Sequence, residues 1–97
     1  MWWNEPDHLT VRGDQLLIGG VAATRLASQF GTPVYVYNAD RMARSYRQLK
    51  EGLSSSRRPI RILYALKANS NRHILRFLAG QGAGVDAASI SEATEAL

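Results

Sequence analysis

The sequence predicts an α/β fold in which strands and helices alternate along the chain. Its second half carries the evidence: an apolar run at 60–66, apolar residues at helical spacing over 74–78, and another short apolar run at 83–88. Polar residues or glycines separate these runs, so residues 60–97 follow the order strand, helix, strand, helix. That order is typical of a parallel sheet whose strands are joined by crossover helices.

Composition places the chain among folded soluble domains. It has 97 residues, 45% of them apolar and 21% charged, which is too apolar for a disordered segment. The absence of cysteine excludes a disulfide-stapled scaffold, a thiolate metal site and a cysteine nucleophile. The longest apolar run, 16–23, falls far short of the ~20 residues that span a bilayer, and residues 1–7 do not resemble a signal peptide. We therefore expect a cytoplasmic protein with no membrane partner.

Basic residues concentrate in the middle of the chain, where eight of the ten arginines lie between residues 41 and 76. A nucleic-acid surface is one interpretation of this cluster. However, four of the cations alternate at helical spacing with an apolar stripe. The cations are Arg41, Arg44, Arg47 and Lys50, and the stripe is Met42, Tyr46, Leu49 and Leu53. The pattern favours the solvent-exposed face of an amphipathic helix, so we expect no nucleic-acid partner.

The first half of the chain predicts four elements. They are a short strand or turn at 16–18, a helix over 21–30, a strand at 34–37 and a helix that begins at Asn38 or Asp40. Gly31 can end the first helix in the left-handed conformation, and Pro33 prevents its continuation. The β-branched and aromatic residues at 34–37 favour a strand. Residues 52–59 read as a linker.

Polar residues and glycines mark the ends of the predicted elements after residue 60. The first strand ends at the polar residues 67–71, where an asparagine or serine can cap the next helix. The buried face of that helix is predicted to be Ile74, Leu75, Phe77 and Leu78. Glycines within 80–84 end it, a strand follows at 83–88, and Ser89 with Glu92 forms a capping box for a further helix.

Lys67 is the first candidate for chemistry because it lies at the carboxyl end of a predicted strand, and that end of a parallel sheet faces the ligand crevice. Alternation along the strand puts Lys67 on the same face as Leu63 and Ala65. If that face points inward, burial disfavours the ammonium and makes the amine a nucleophile for a Schiff base with a carbonyl compound. The alternative is a lysine that ends the strand and points to water.

Asp86 is the second candidate, near the end of the next predicted strand. If the two strands are neighbours, its carboxylate and the amine of Lys67 approach the same edge of the sheet. The acid could then orient the lysine or hold a cofactor or substrate. The alternative is an aspartate that only supports the adjoining turn.

The other polar residues and glycines do not indicate a functional site. His8 and His73 each lack a partner at ligand spacing, so we expect no metal site. The glycines of 80–84 follow a helix, whereas a phosphate-binding loop should follow a strand. Tyr64 fits strand packing, and Asn69 fits a helix cap.

Three segments resemble the diaminopimelate decarboxylase family, within the alanine-racemase-like (fold-type III) pyridoxal-phosphate decarboxylases. They are Tyr-Ala-Leu-Lys-Ala-Asn-Ser-Asn at 64–71, Gly-Ala-Gly-Val-Asp-Ala-Ala-Ser at 82–89, and Gly-Thr-Pro-Val-Tyr-Val-Tyr at 31–37. They occur in the family's order, and the resemblance runs from about residue 16 to the end of the chain. One difference is Ser-Ile-Ser-Glu at 89–92, where the family commonly has Ser-Gly-Gly-Glu.

The resemblance implies a (β/α)8 TIM barrel of the alanine racemase type, together with a β-domain. Residues 1–38 would join that β-domain, and residues 39–97 would begin the barrel that binds pyridoxal 5′-phosphate. It also implies that Lys67 holds the cofactor covalently and that Ala65 and Asp86 line its pocket. The implied reaction is decarboxylation of meso-2,6-diaminopimelate, a small amino-acid substrate, to L-lysine, by an enzyme that forms a homodimer when full length.

Other functions stay open at this point. Related decarboxylases of ornithine, arginine or carboxynorspermidine share the Tyr-Ala-x-Lys core, a racemase on the same fold is possible, and a small basic binding module is the non-enzyme alternative. The chain ends at Leu97 within a predicted helix and holds about two of the eight strand–helix units of such a barrel. We therefore expect a fragment that is inactive on its own.

Overall fold

The computed structural model describes residues 8–87, in which two compact units meet at a boundary after Met42. Along the chain the elements are β1 (Leu9–Arg12), β2 (Gln15–Ile18), β3 (Val21–Ala22), α1 (Ala23–Phe30), α2 (Ala39–Gly52), β4 (Leu63–Ala65), α3 (Arg72–Gln81) and β5 (Gly84–Asp86). Helix α2 begins in the first unit and continues into the second. None of the helices within residues 8–87 combines the length and the apolar character needed to cross a membrane.

The first unit begins with a three-stranded antiparallel sheet in the order β1-β2-β3. Arg12 pairs with Gln15, so a two-residue turn joins β1 to β2. Gly19 and Gly20 form the turn to β3 with φ of 56° and 82°, a conformation that glycine adopts because it has no Cβ. The predicted strand or turn at 16–18 is confirmed as part of β2, whereas its two partner strands are additions that the sequence did not predict.

Helix α1 is shorter than predicted. The apolar spacing predicts a helix over 21–30, but the first two of these residues form β3 and pair with β2 instead. The helix ends at Phe30, as predicted. Gly31 follows it with a φ of 80° and donates its N–H to the carbonyl oxygen of Ala27 at 2.8 Å.

The predicted strand at 34–37 is wrong. These residues adopt no regular secondary structure, and all four side chains are exposed, Tyr35 to 89%. β-branched and aromatic residues favour an extended backbone, but a strand forms only when a neighbour satisfies its N–H and C=O groups. No strand within residues 8–87 pairs with this segment.

Helix α2 begins where the sequence predicts, after a cap formed by Asn38. The Oδ1 atom of Asn38 accepts hydrogen bonds from the N–H groups of Asp40 and Arg41, at 3.0 and 3.4 Å. Its Nδ2 atom lies 3.3 Å from Nδ1 of His8, near the start of β1. One asparagine therefore both caps the helix and contacts the residue that precedes β1.

The predicted apolar stripe of α2 is only partly buried. Met42 and Tyr46 are half-buried, Leu49 is 52% exposed, and Leu53 lies beyond the end of the helix. Ala43 is the buried residue of α2. The cations predicted to face solvent comprise two half-buried residues, Arg41 and Arg44, and two exposed residues, Arg47 and Lys50.

The second unit contains two parallel strands, β4 and β5, which α3 connects. The register pairs Leu63 with Gly84, Tyr64 with Val85, and Ala65 with Asp86. This arrangement confirms the predicted parallel order of strand, helix, strand. Both strands are shorter than the predicted runs of 60–66 and 83–88, because the chain leaves the ladder after three residue pairs and enters a 3₁₀ turn at Leu66.

The core of the second unit lies around α3 and the 3₁₀ turn. Its buried side chains are Ala43, Leu66, Ile74 and Leu75. The predicted buried face of α3 is thus confirmed for Ile74 and Leu75, while Phe77 and Leu78 are half-buried. The predicted capping box at Ser89 and Glu92 lies outside the described residues.

Polar and glycine caps fix both ends of α3. The Oδ1 atom of Asn71 accepts the N–H of His73 at 2.9 Å, which satisfies one free donor of the first turn. At the other end Gly82 has a φ of 104° and donates its N–H to the carbonyl oxygen of Ala79 at 3.0 Å. These caps set where the crossover helix begins and ends, and so where β5 can start.

A matched pair of glycine substitutions should shift the stability of α3 in opposite directions. Gly80→Ala, inside the helix and with open space around the new methyl group, should raise the free energy of opening by about 0.5–1 kcal/mol. Gly82→Ala should lower it by about 1–2 kcal/mol, because an L-residue resists the left-handed backbone although its Cβ would find an ordinary contact, 3.5 Å from the Tyr46 hydroxyl. Native-state hydrogen exchange of the α3 amides measures both changes, and shifts of the same sign would contradict the assignment of Gly82 as the C-terminal cap.

Candidate functional site

Lys67 lies on the 3₁₀ turn Leu66–Ala68, directly after β4, and its side chain is exposed. The prediction that it shares a strand face with Leu63 and Ala65 is therefore wrong. The two-residue alternation of a strand ends where the strand ends, and β4 ends at Ala65. Within residues 8–87 the amine is presented outward from a turn and is not drawn into an apolar interior.

Ala65 and Asp86 are register partners on neighbouring strands. They are the last residues of β4 and β5 and face each other across the parallel ladder. Ala65 is half-buried, and Asp86 is exposed. The expectation that the two strands are neighbours is confirmed, and it brings both residues to the carboxyl edge of the sheet, where the Lys67 turn begins.

A chain of hydrogen bonds connects β4 to α3 around this turn. The hydroxyl of Tyr64 donates to the carbonyl oxygen of Asn69 at 2.8 Å. The side-chain Oδ1 of Asn69 accepts the N–H of Asn71 at 3.0 Å, and Oδ1 of Asn71 in turn accepts the N–H of His73. The sequence predicted the asparagine caps but assigned Tyr64 to strand packing alone, since nothing in a local pattern shows that a hydroxyl reaches a carbonyl five residues away.

Leu66 anchors the turn through burial of its side chain in the core. Its side chain has 0% exposure, and it directly precedes the exposed Lys67. Burial of a leucine contributes about 1.5–3 kcal/mol relative to exposure, so the turn cannot rotate Leu66 outward cheaply. Of these two adjacent residues, Leu66 therefore holds the turn in the core and Lys67 faces solvent.

A separate cleft lies at the other end of the strands. This open cleft of about 340 Å³ in the second unit is lined by Leu63 and Gly84, the first residues of β4 and β5, among others. None of Ala65, Lys67 and Asp86 lines it. Within residues 8–87 no group of three histidine, aspartate or glutamate side chains could hold a metal ion.

Comparison with known proteins adds to this geometry. Residues 39–97 match the model of the pyridoxal-dependent decarboxylase family, in its pyridoxal binding domain. The chain belongs to this family. Among the curated relatives, the diaminopimelate decarboxylases of Methanothermobacter thermautotrophicus and Pseudomonas aeruginosa are 42% identical over 82 residues and 40% identical over 86 residues.

These matches cover 84% and 89% of this chain but 19% and 20% of the two relatives, so the chain spans about a fifth of the length of the curated relatives it matches. Solved structures agree with the sequence matches. A diaminopimelate decarboxylase from M. jannaschii in complex with L-lysine has a TM-score of 0.83 and 32% identity over 93% of this chain and 22% of its own. A structure from Aquifex aeolicus has a TM-score of 0.84 and 34% identity over 94% of this chain and 22% of its own.

Membership in a decarboxylase family bears on the alternatives that the sequence left open. The match to the pyridoxal binding domain of pyridoxal-dependent decarboxylases favours that family over the small basic binding module. The structure neighbours also share the α/β architecture of the described residues. The coarse fold prediction, α/β with parallel strands, is therefore confirmed.

Truncating the anchor of the turn should be far more costly than truncating an exposed leucine. Leu66→Ala should lower the free energy of unfolding by about 2–5 kcal/mol, because it leaves a cavity beneath the turn. Leu49→Ala in α2 is the matched control, and its cost should stay below about 1 kcal/mol. Denaturant unfolding measures both costs, and equal costs would contradict the anchoring role of Leu66.

Proposed function

We propose that this chain is the start of a cytoplasmic pyridoxal-phosphate-dependent decarboxylase that converts meso-2,6-diaminopimelate to L-lysine, a step of lysine biosynthesis. The observation that carries the proposal is Lys67, exposed on a turn at the carboxyl end of β4 and beside β5, in a chain whose family has a pyridoxal binding domain. The activity belongs to the whole protein. The 97 residues alone are inactive in this proposal, because two short strands leave sheet edges that further strands must cover.

The architecture proposed for the whole protein is a (β/α)8 barrel of the alanine racemase type with a β-domain. Residues 39–97 contribute the first strand–helix units of the barrel, and residues 1–38 join the β-domain. The parallel pair with its crossover helix supports the first assignment, and the family match, which begins at residue 39, supports the boundary. The homodimer is proposed from the family resemblance.

The residues at the carboxyl edge of the sheet fit pyridoxal phosphate by the chemistry they offer. Covalent attachment to the aldehyde of the cofactor needs a primary amine, and Nζ of Lys67 is exposed and engaged by no ion pair or hydrogen bond within residues 8–87. Ala65 has a small, half-buried side chain, and the exposed carboxylate of Asp86 can accept hydrogen bonds. In the proposal Lys67 holds the cofactor, and Ala65 and Asp86 line its pocket.

Pyridoxal phosphate, when bound, supplies an electron sink for the electrons left on the substrate α-carbon as carbon dioxide departs. Lys67 contributes its amine: Nζ must lose a proton before it can hold the cofactor, because only the neutral amine is a nucleophile. When it is not attached to the cofactor, Nζ of Lys67 would hold a proton that it can return to the substrate α-carbon. Asp86 orients the Lys67 ammonium in this scheme through its negative charge.

The diaminopimelate substrate is proposed from the relatives. The curated matches named above are diaminopimelate decarboxylases, and one solved neighbour holds L-lysine, which is the product of the proposed reaction. The family model itself is broader, since it describes pyridoxal-dependent decarboxylases in general. The substrate therefore needs a test that is separate from the test of the lysine.

Borohydride reduction tests the role of Lys67. In the intact gene product loaded with pyridoxal phosphate, reduction should leave a phosphopyridoxyl group on Lys67, found by mass spectrometry of the peptides. Lys67→Arg should abolish this label and lower decarboxylation by about 100-fold or more, because arginine keeps the charge but cannot attach the cofactor. Lys50→Arg, at the other lysine of the chain, is the matched control and should change neither. A label on any other residue would refute the assignment.

Carbon dioxide release from a panel of amino acids tests the substrate. The intact protein should turn over meso-diaminopimelate with a kcat/KM at least about tenfold higher than for ornithine, arginine or lysine. A site that binds the distal amino-acid group of diaminopimelate would leave its own polar groups unpaired when one of the other three amino acids is bound. A higher kcat/KM for ornithine or arginine would instead assign the protein to another branch of the family. Racemisation without carbon dioxide release would contradict decarboxylation itself.

A further inference from the structure

A side-chain hydrogen bond closes the Lys67 turn. The Tyr64 hydroxyl, on β4, donates to the carbonyl oxygen of Asn69 at 2.8 Å, and residues 65–68 lie between these two ends. The bond is part-buried, which limits the competition from water. We call the closed segment 64–69 the tyrosine clamp.

Both sides of the tyrosine clamp are fixed to regular elements. On the entry side, Tyr64 belongs to the ladder of β4 and β5, and the buried Leu66 follows it. On the exit side, Asn69 accepts the N–H of Asn71, which caps α3. Lys67 therefore has an exposed side chain on a backbone that is held at both ends.

We propose that Tyr64 is a positioning residue: its hydroxyl fixes the backbone of Lys67 so that Nζ is presented in one place to pyridoxal phosphate. The proposal rests on the proposed function of Lys67. Its physical basis is preorganisation, since a turn that is already ordered loses less conformational entropy when its lysine becomes covalently tied to a bound ligand. Removing the hydroxyl removes this link between Asn69 and β4.

The test compares Tyr64→Phe, which removes only the hydroxyl, with Tyr35→Phe, at an exposed tyrosine of the first unit. In the intact protein, Tyr64→Phe should weaken the equilibrium binding of pyridoxal phosphate by about two- to tenfold, the range expected for the loss of one hydrogen bond. In the cofactor-free protein, hydrogen exchange of the amides of residues 66–70 should accelerate by a similar factor. Tyr35→Phe should leave both values unchanged, and Tyr64→4-aminophenylalanine, which restores an N–H donor, should recover most of the affinity.

A second variant covers the case in which Tyr64→Phe does not fold. Ala68→Gly loosens the same turn by adding backbone freedom at an exposed residue, and it should weaken cofactor binding by about two- to fivefold. A merely structural tyrosine would lower the melting temperature and leave cofactor affinity unchanged well below it, which overturns the proposal.

The two proposals fail in different ways. If borohydride labels no residue, or labels a residue other than Lys67, in the unaltered protein, then the proposed function fails and the role of Tyr64 toward the cofactor fails with it. If Lys67 is labelled but Tyr64→Phe binds the cofactor with unaltered affinity, only the role of Tyr64 is overturned.

Discussion

The parallel pairing of β4 with β5 is the constraint on which the second unit depends. Parallel strands cannot be joined by a tight hairpin, so the chain must cross over through α3 before β5 can pair. The register then fixes which residues meet at the carboxyl edge, and it places Ala65 opposite Asp86. A register shifted by one residue would move every side chain of the strand to the opposite face, so three residue pairs suffice to define this edge.

The short length of β4 creates the turn that carries Lys67. Because the ladder stops at Ala65 and α3 begins at Arg72, the chain must leave the sheet and enter a helix within six residues. Two features stabilise this connection. Leu66 buries its apolar side chain, and hydrogen bonds at Asn69 pair polar groups of the turn. The side chain of Lys67, between them, is exposed, which is compatible with the covalent role proposed for it.

Features with a local cause were predictable from the sequence, and features that need a partner were not. Gly31 ends α1 as predicted, and α3 is capped by one of the candidate polar residues, Asn71, and ended by one of the candidate glycines, Gly82. These features were predictable because a left-handed backbone and a free N–H are properties of one or two residues. The strand at 34–37 failed, and the run at 60–66 shortened to three paired residues, because strand pairing depends on a distant neighbour that local composition does not reveal. Its position at the end of a predicted strand had already made Lys67 the first candidate, and the family resemblance added the covalent role that it implies for this residue.

The candidate site shows the same division. Sequence alternation predicted that Lys67 shares an apolar face with Leu63 and Ala65. The 3₁₀ turn begins at Leu66 and so ends that alternation one residue before Lys67. The Lys67 side chain is exposed, so the described residues do not bury it in an apolar face. What residues 8–87 supply to Lys67 is position: a ladder below it, a leucine in the core beside it and a tyrosine hydroxyl that closes its loop.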